Sequence, residues 1–385
     1  MKEAPLVATG PPPARPLPRL LGPALAFTTA ALLMLEVALT RILSVVMWYH
    51  FAFFTISVAL FGLAASGLTV YLWPRRFRAE SALAQAALAA LVLAVAVPVC
   101  FALFAANPAQ AFVTGILQRA GSTGLGVGTV AQVAALYLSA VVPFFIGGLV
   151  GAIVFRHHGD ASSGLYFWDL LGAGLGCLAT VPLLDAVGGP SVMAGVSLLA
   201  AISAALFAVA ARRSRRVLIA VLVALGAVAL LALNPSHGWL HLRYFRGREE
   251  NDIRYEKWNS FSRVAVRDLG TPDSLLIEID AASNTVISRW NGDPARLAPL
   301  RDGLIAVAYT VERRPDVFVI GSGGGVDVLT AVAAEARSVT AVEVNPIIVD
   351  LMENRYAAFS GGIFHHPIVT VVNDEARSFL RRSKR

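Results

Sequence analysis

The chain has 385 residues, 56% of them apolar and 15% charged, with a net charge of +7 and a mean hydropathy of +0.66. Those values exclude an ordinary soluble globular composition. The excess positive charge sits in arginines at the ends of apolar runs and at the C-terminus, a membrane-topology pattern. No basic stripe interleaved with aromatics marks the later, more polar part, so nucleic acid is not an expected partner. The two cysteines, Cys100 and Cys177, both fall inside apolar runs. Neither a disulfide framework nor a metal site is indicated.

In chain order, residues 1–19 carry six prolines and no apolar run, which predicts a disordered cytoplasmic lead rather than a signal peptide. Seven candidate spans follow, at about 22–43, 50–73, 82–105, 129–155, 164–186, 190–211 and 217–234, making residues 20–234 a polytopic membrane domain. Glu36 lies within the first span, and a carboxylate at that depth needs a partner. Arg41, Thr40 and His50 are the nearest in sequence, and either a structural ion pair or a transport or catalytic role fits them. Asp169 opens the fifth span, where a dipole-stabilised interfacial acid and a functional acid are both admissible. Gly172 and Gly176, and Gly147 and Gly151, have the small-residue spacing that lets helices approach closely. His157-His158, and His237 with His241, lack matching Cys or carboxylate partners and read as interfacial residues rather than metal ligands.

Arg15 and Arg19, Arg75/Arg76/Arg78, Arg156, and Arg212/Arg213/Arg215/Arg216 fall on one side of that topology, which the positive-inside rule makes cytoplasmic. Seven crossings then place the C-terminal part outside. As a helix, Val217–Asn234 is only about 27 Å long, barely enough to cross. The expectation is therefore a multi-pass protein of the plasma (inner) membrane whose C-terminal part is cytoplasmic.

From Tyr255 the pattern changes to short strands, Ser262–Arg267, Leu275–Asp280 and Thr285–Arg289, an antiparallel β-meander within residues 250–292. Asp293-Pro294 predicts a helix start, with the helix running to about Tyr309. Residues 293–385 then carry a βαβ pattern. Val317–Ile320 is a strand, Gly321-Ser322-Gly323-Gly324-Gly325 a turn suited to residues without Cβ, and Val326–Ala336 a helix. Ser338–Val344 is a second strand ending near Glu343. Asn345-Pro346 caps a helix over 346–358, Ile368–Val372 is a third strand, and Asp374 follows it. A glycine turn between strand and helix, with an acid at the end of the next strand, suits a nucleoside-bearing cofactor, the acid accepting from the ribose hydroxyls. The turn is GSGGG rather than G-x-G-x-x-G, and a second acid follows strand three. Both features favour an S-adenosyl ligand over a dinucleotide.

EVALTRILSVV and YHFAFFTISVALFGL near the start, WDLLGAGLGCL in the fifth span, then KWNSFSRVAV, VIGSGGGVDVL, VTAVEVNP and VVNDEARSFL resemble the membrane-anchored branch of the spermidine synthase family. These are polyamine aminopropyltransferases sharing a fold with S-adenosylmethionine-dependent methyltransferases. The resemblance implies a partial Rossmann-like domain of methyltransferase type behind the bundle and the β-meander. It implies an aminopropyl transferase with decarboxylated S-adenosylmethionine as donor and a polyamine or other amine as acceptor, without a metal. By the resemblance Gly321, Gly323 and Gly325 line the nucleoside, Glu343 holds the ribose and Asp374 faces the adenine, with Asp327 close by on the helix. The bilayer, a small amine and a second copy of the chain are the expected partners.

The chain also departs from that pattern. Soluble spermidine synthases carry a substrate-contacting Asp in the glycine turn where Gly324 stands, and no Tyr-His-Glu triplet follows the meander. The acidic gate loop with the proton acceptor follows strand four in the family, and the sequence stops before strand four, so a truncated chain with weak cofactor binding and no turnover alone is expected. Three alternatives stay open: a methyltransferase, a transporter or channel with a nucleotide-sensing domain (supported by Glu36, Arg41 and Asp169), and a non-catalytic scaffold.

Overall fold

A computed structural model describes residues 18–47, 52–107 and 127–383. The expectations for residues 1–17 and for His50 lie outside the described residues. The chain forms two compact units, one up to Glu249 and one from Glu250.

The first unit is a bundle of seven long apolar helices among the described residues. They are α1 (Leu21–Val46), α2 (Ala52–Leu72), α3 (Ala82–Ala106), α4 (Val127–His157), α5 (Ser162–Val187), α6 (Gly189–Ala210) and α7 (Ser214–His237). Each is apolar all round, as a membrane span must be, so packing rather than amphipathicity decides which is central. The central pair is α1 and α6, the most buried of the seven. Outer helices turn large apolar side chains outward, for example Leu178 at 73% and Leu222 at 58% exposure, as lipid contact requires. The last helix is longer than the expected 217–234. At 24 residues it spans about 36 Å, ample for a crossing. One end of the bundle gathers the basic residues: Arg156 donates to the Val70 carbonyl, Arg216 to the Ala84 carbonyl, and His157 Nε2 lies 3.0 Å from Phe77 O. A short hairpin, β1 (Tyr244–Phe245) with β2 (Arg248–Glu249), closes the unit, and its Arg246 N–H donates to Val46 O at the end of α1.

The second unit holds two sheets. Strands β3 (Ile253–Trp258), β4 (Arg263–Asp268), β5 (Ser274–Ile279) and β6 (Ser283–Ser288) form an antiparallel meander in sequential order. Its first strand was not expected, because Lys257 directly after Glu256 breaks the alternation of IRYEKW. Residues 293–309 are not one helix. They form a 3₁₀ turn (Pro294–Leu297), a single α-turn α8 (Ala298–Arg301) and a 3₁₀ stretch (Leu304–Thr310), interrupted by Gly303. Strands β7 (Asp316–Ile320), β8 (Ser338–Glu343) and β9 (Val369–Asn373) then pair in parallel, in that order. Helix α9 (Val326–Ala333) joins the first two. Helix α10 (Pro346–Asp350) passes into a π-turn at Leu351–Arg355 instead of continuing to 358, and α11 (Ala376–Arg382) follows β9. The meander and the parallel sheet are not separately packed: Val264, Ile277 and Ile287 share one core with Val319, Leu329, Val339 and Met352.

Candidate functional site

Parallel strands joined by right-handed crossovers direct their C-terminal ends to one edge of the sheet, where ligand loops collect. Here that edge carries the glycine turn after β7, Glu343 at the end of β8 and Asp374 after β9. Gly321, Gly323 and Gly325 have φ of 73°, 50° and 85°, the left-handed region that a Cβ penalises. The turn is held to β8 by the N–H groups of Gly321 and Ser322, which both donate to Val342 O at 2.8 and 3.3 Å.

Glu343 is 5% exposed. Its Oε2 accepts from Gly323 N–H at 3.0 Å and its Oε1 from Asn345 N–H at 2.9 Å. The carboxylate therefore ties the turn to the β8 terminus. An ionised carboxylate offers about four acceptor positions, so two remain. Asp374 is bound to the same point through its backbone, its N–H reaching Glu343 O at 3.2 Å. Its carboxylate is engaged by Arg382 and by Glu375 N–H, one partner to each oxygen. Asp327 lies in the first turn of α9. Burial, and then the Asp327 charge, raise the pKa of Tyr309.

The meander strand β6 crosses the turn. Thr285 Oγ1 accepts from Gly324 N–H at 3.0 Å, and a Cβ on Gly324 would sit 2.2 Å from Val286 O. No side chain fits at 324, whereas the Gly321 position has open space around it. Ser322 is buried and its Oγ has no hydrogen-bond partner among the described residues. Buried polar atoms are seldom left unmatched. An open glycine, an orphaned hydroxyl and a buried carboxylate with spare acceptor capacity lie together at this edge of the sheet.

A second feature supports the turn. Asn259 Nδ2 donates to Asn345 Oδ1 at 2.9 Å, Asn345 Nδ2 donates to Ser262 Oγ at 2.6 Å, and Asn345 Oδ1 also caps α10 at Ile347 N–H. The NSFS loop of the meander thus fixes the residue that fixes Glu343. Sequence reasoning assigned Asn345 only a capping role and passed over Asn259, Ser262, Thr285, Ser322 and Tyr309. The available signal was the polar NSFS insertion between two apolar strands. Beneath it, Arg263 is 1% exposed and pairs with Glu250 at 2.7 Å and Glu256 at 3.1 Å. Burial would lower its pKa, but the two carboxylates outweigh burial and raise it.

The intramembrane residues stand elsewhere. Arg41 Nη1 donates to Ser44 Oγ at 3.2 Å, and among the described residues it forms no pair with Glu36. Glu36 and Asp169 instead line one cavity of about 340 Å³ between α1, α2, α4 and α5. Gly172 and Gly176 do act as close-packing residues: a Cβ on either would meet Ala26 O at 2.1 Å or Ala30 O at 2.4 Å. Gly147 and Gly148 pack against Leu32 and Ser66, but Gly151 opens onto empty space. No protein-family model matches the chain, and no curated protein matches it.

Proposed function

We propose that the protein is an integral-membrane transferase of the spermidine synthase type, whose second unit binds an S-adenosyl donor at the glycine turn and transfers its aminopropyl group to an amine. The observation that carries this reading is the buried Glu343 carboxylate held 3.0 Å from Gly323 N–H, at the C-terminal edge of a parallel sheet. A Rossmann-like, methyltransferase-type arrangement of β7, β8 and β9 is part of the proposal.

When bound, the donor supplies a carbon made electrophilic by its neighbouring sulfonium. The chain's own residues have three tasks. Gly321 lets the backbone approach the nucleoside. Glu343, with Ser322 Oγ, takes the ribose hydroxyls, and the remaining work is to orient a neutral amine in line and accept its proton. Asp327, in the first turn of α9, is the acceptor this unit offers. The amine nitrogen forms the new C–N bond, the C–S bond breaks with its pair going to sulfur, and the ammonium proton passes to the carboxylate.

Gly324 supports a second reading. Since β6 leaves no room for the Asp of the soluble synthases, a methyl transfer from S-adenosylmethionine fits the same turn. Titrating the full chain in lipid nanodiscs with decarboxylated S-adenosylmethionine and with S-adenosylmethionine separates the two. Binding of neither donor, or unchanged binding by Glu343→Gln and Gly323→Val, would defeat both. The reading also requires a cytoplasmic second unit, since S-adenosyl donors are scarce outside the cell. That conflicts with seven crossings and a cytoplasmic arginine-rich end. A C-terminal cysteine tag labelled from outside intact cells would overturn the assignment.

A further inference from the structure

The arginine-rich end of the helical bundle carries charge that the bundle itself does not use. Arg75, Arg76 and Arg78 lie in the connection from α2 to α3, and Arg212, Arg213, Arg215 and Arg216 at the turn from α6 into α7. Two contacts set these connections side by side. Gln85 Nε2 donates to Arg76 O at 2.7 Å, and Arg216 donates to Ala84 O, so consecutive residues of α3 hold one basic connection each. All seven arginines except Arg216 are exposed. Arg78 bonds to Arg75 O within its own connection. The side chains of Arg75, Arg76, Arg212, Arg213 and Arg215 have no hydrogen-bond or ion-pair partner among the described residues, and Glu80 is the one acid in the two stretches.

Membrane topology accounts for positive charge on one side of a bilayer, but not for two basic connections meeting at one helix start. Like charges held together repel unless an anion lies among them. The backbone adds a cost of its own. Arg212 has a φ of 54°, where its N–H donates to Val209 O at 3.0 Å and the Arg213 N–H to Ala208 O at 2.9 Å. Glycine is the usual residue at such a helix end, so the Arg212 side chain has a conformational penalty to offset. The place of the patch selects the anion. It stands where apolar helices reach the membrane surface, and α3 and α7 turn Leu88, Val92, Leu218 and Leu222 outward next to it, as surface for acyl chains. Guanidinium forks match phosphate oxygens bidentately, and basic pockets between membrane helices take anionic headgroups. We infer that this end of the bundle binds one anionic glycerophospholipid carrying two phosphodiesters. One phosphate faces the arginines at 75–78 and the other those at 212–215, with the acyl chains along α3 and α7. The inference is independent of the adenosyl reading, since every residue of the patch belongs to the first unit.

The test uses the delipidated full chain in a neutral detergent and equilibrium binding of radiolabelled tetraoleoyl cardiolipin. Wild type should bind it saturably, one molecule per chain, and at least tenfold more tightly than dioleoylphosphatidylglycerol, which has a single phosphodiester. Arg75→Gln/Arg76→Gln/Arg78→Gln and Arg212→Gln/Arg213→Gln/Arg215→Gln should each weaken binding at least tenfold. Arg313→Gln/Arg314→Gln, which removes two exposed charges from the second unit, should leave it unchanged. Equimolar inorganic pyrophosphate should not displace the lipid, which separates a headgroup from a free phosphate. No saturable binding, equal affinity for the one-phosphate lipid, wild-type affinity in either triple variant, an equal loss in Arg313→Gln/Arg314→Gln, or displacement by pyrophosphate would each overturn the assignment. Should a triple variant fail to insert, the wild-type stoichiometry and the comparison of the two lipids still decide.

Discussion

Glycine does opposite work in the two units, and the contrast shows what a glycine in this chain signals. In the bundle, Gly172 and Gly176 are ordinary helical residues whose missing side chains let α5 press on the backbone of α1. At the turn after β7, Gly321, Gly323 and Gly325 are needed for their positive φ, while Gly324, with an ordinary φ, is there for space alone. Polar groups differ in the same way. In the bundle they are small local sets, such as Ser203 Oγ, which donates to Ala24 O at 2.7 Å and lies 2.7 Å from Thr28 Oγ1, or a single tie such as Ser197 Oγ to Ala94 O at 2.5 Å. In the second unit they form connected networks around Arg263 and Asn345. A membrane leaves no water to complete a partly satisfied network, so isolated hydroxyls bonded to nearby carbonyls are what an apolar bundle tolerates.

If the networks of the second unit are structural, the largest effect comes from breaking the buried one. Arg263→Ala leaves Glu250 buried beside no cation and should destabilise the unit by about 3–5 kcal/mol, seen as a lowered denaturation midpoint. A loss below 1 kcal/mol would mean that water replaces the guanidinium. Next is the bundle's own weak point. Gly176→Val drives side-chain atoms into the Ala30 carbonyl and should cost about 3 kcal/mol, the upper end for overpacking, because the obstacle is backbone. Detergent unfolding followed by circular dichroism measures it. A single hydroxyl tie should matter far less: Ser197→Ala, which removes the bond to Ala94 O, is expected to cost about 0.6 kcal/mol, the average for interhelical hydrogen bonds in bilayers. A value near that of Arg263→Ala would erase the contrast between the units.

The smallest effect is a titration. Burial and the Asp327 charge hold the Tyr309 phenol above its ordinary value of 10.0. The neutral phenol's contribution to stability is thus complete below the unfolded pKa and lost as pH rises through the folded one. Asp327→Asn removes the second cause and leaves the first, so tyrosinate absorbance should appear at lower pH than in wild type. An unmoved titration would separate Asp327 from Tyr309 and remove the proton acceptor from the proposed site.

Much of this was legible along the chain. Seven helices long and apolar enough to cross a membrane, the three parallel strands and the glycine turn follow from runs of apolar residues and from residues lacking Cβ, since local sterics and solvent partition act residue by residue. What resisted sequence reading were strands such as β3, where charged residues pair across strands, and the broken segment 294–310, where Gly303 interrupts a helical composition. The site was legible in its parts and not in its wiring. Glu343 was visible as an acid at a strand end, but that Gly323 and Asn345 occupy its oxygens depends on the β7–β8–β9 register and on a loop some eighty residues earlier in the chain. Likewise the sequence identified Glu36 and Asp169 as costly acids, and its nearest-neighbour logic paired Glu36 with Arg41. Only the parallel packing of α1 on α5 set both acids on one cavity, because partners in a bundle are chosen by helix register across space and not by distance along the chain.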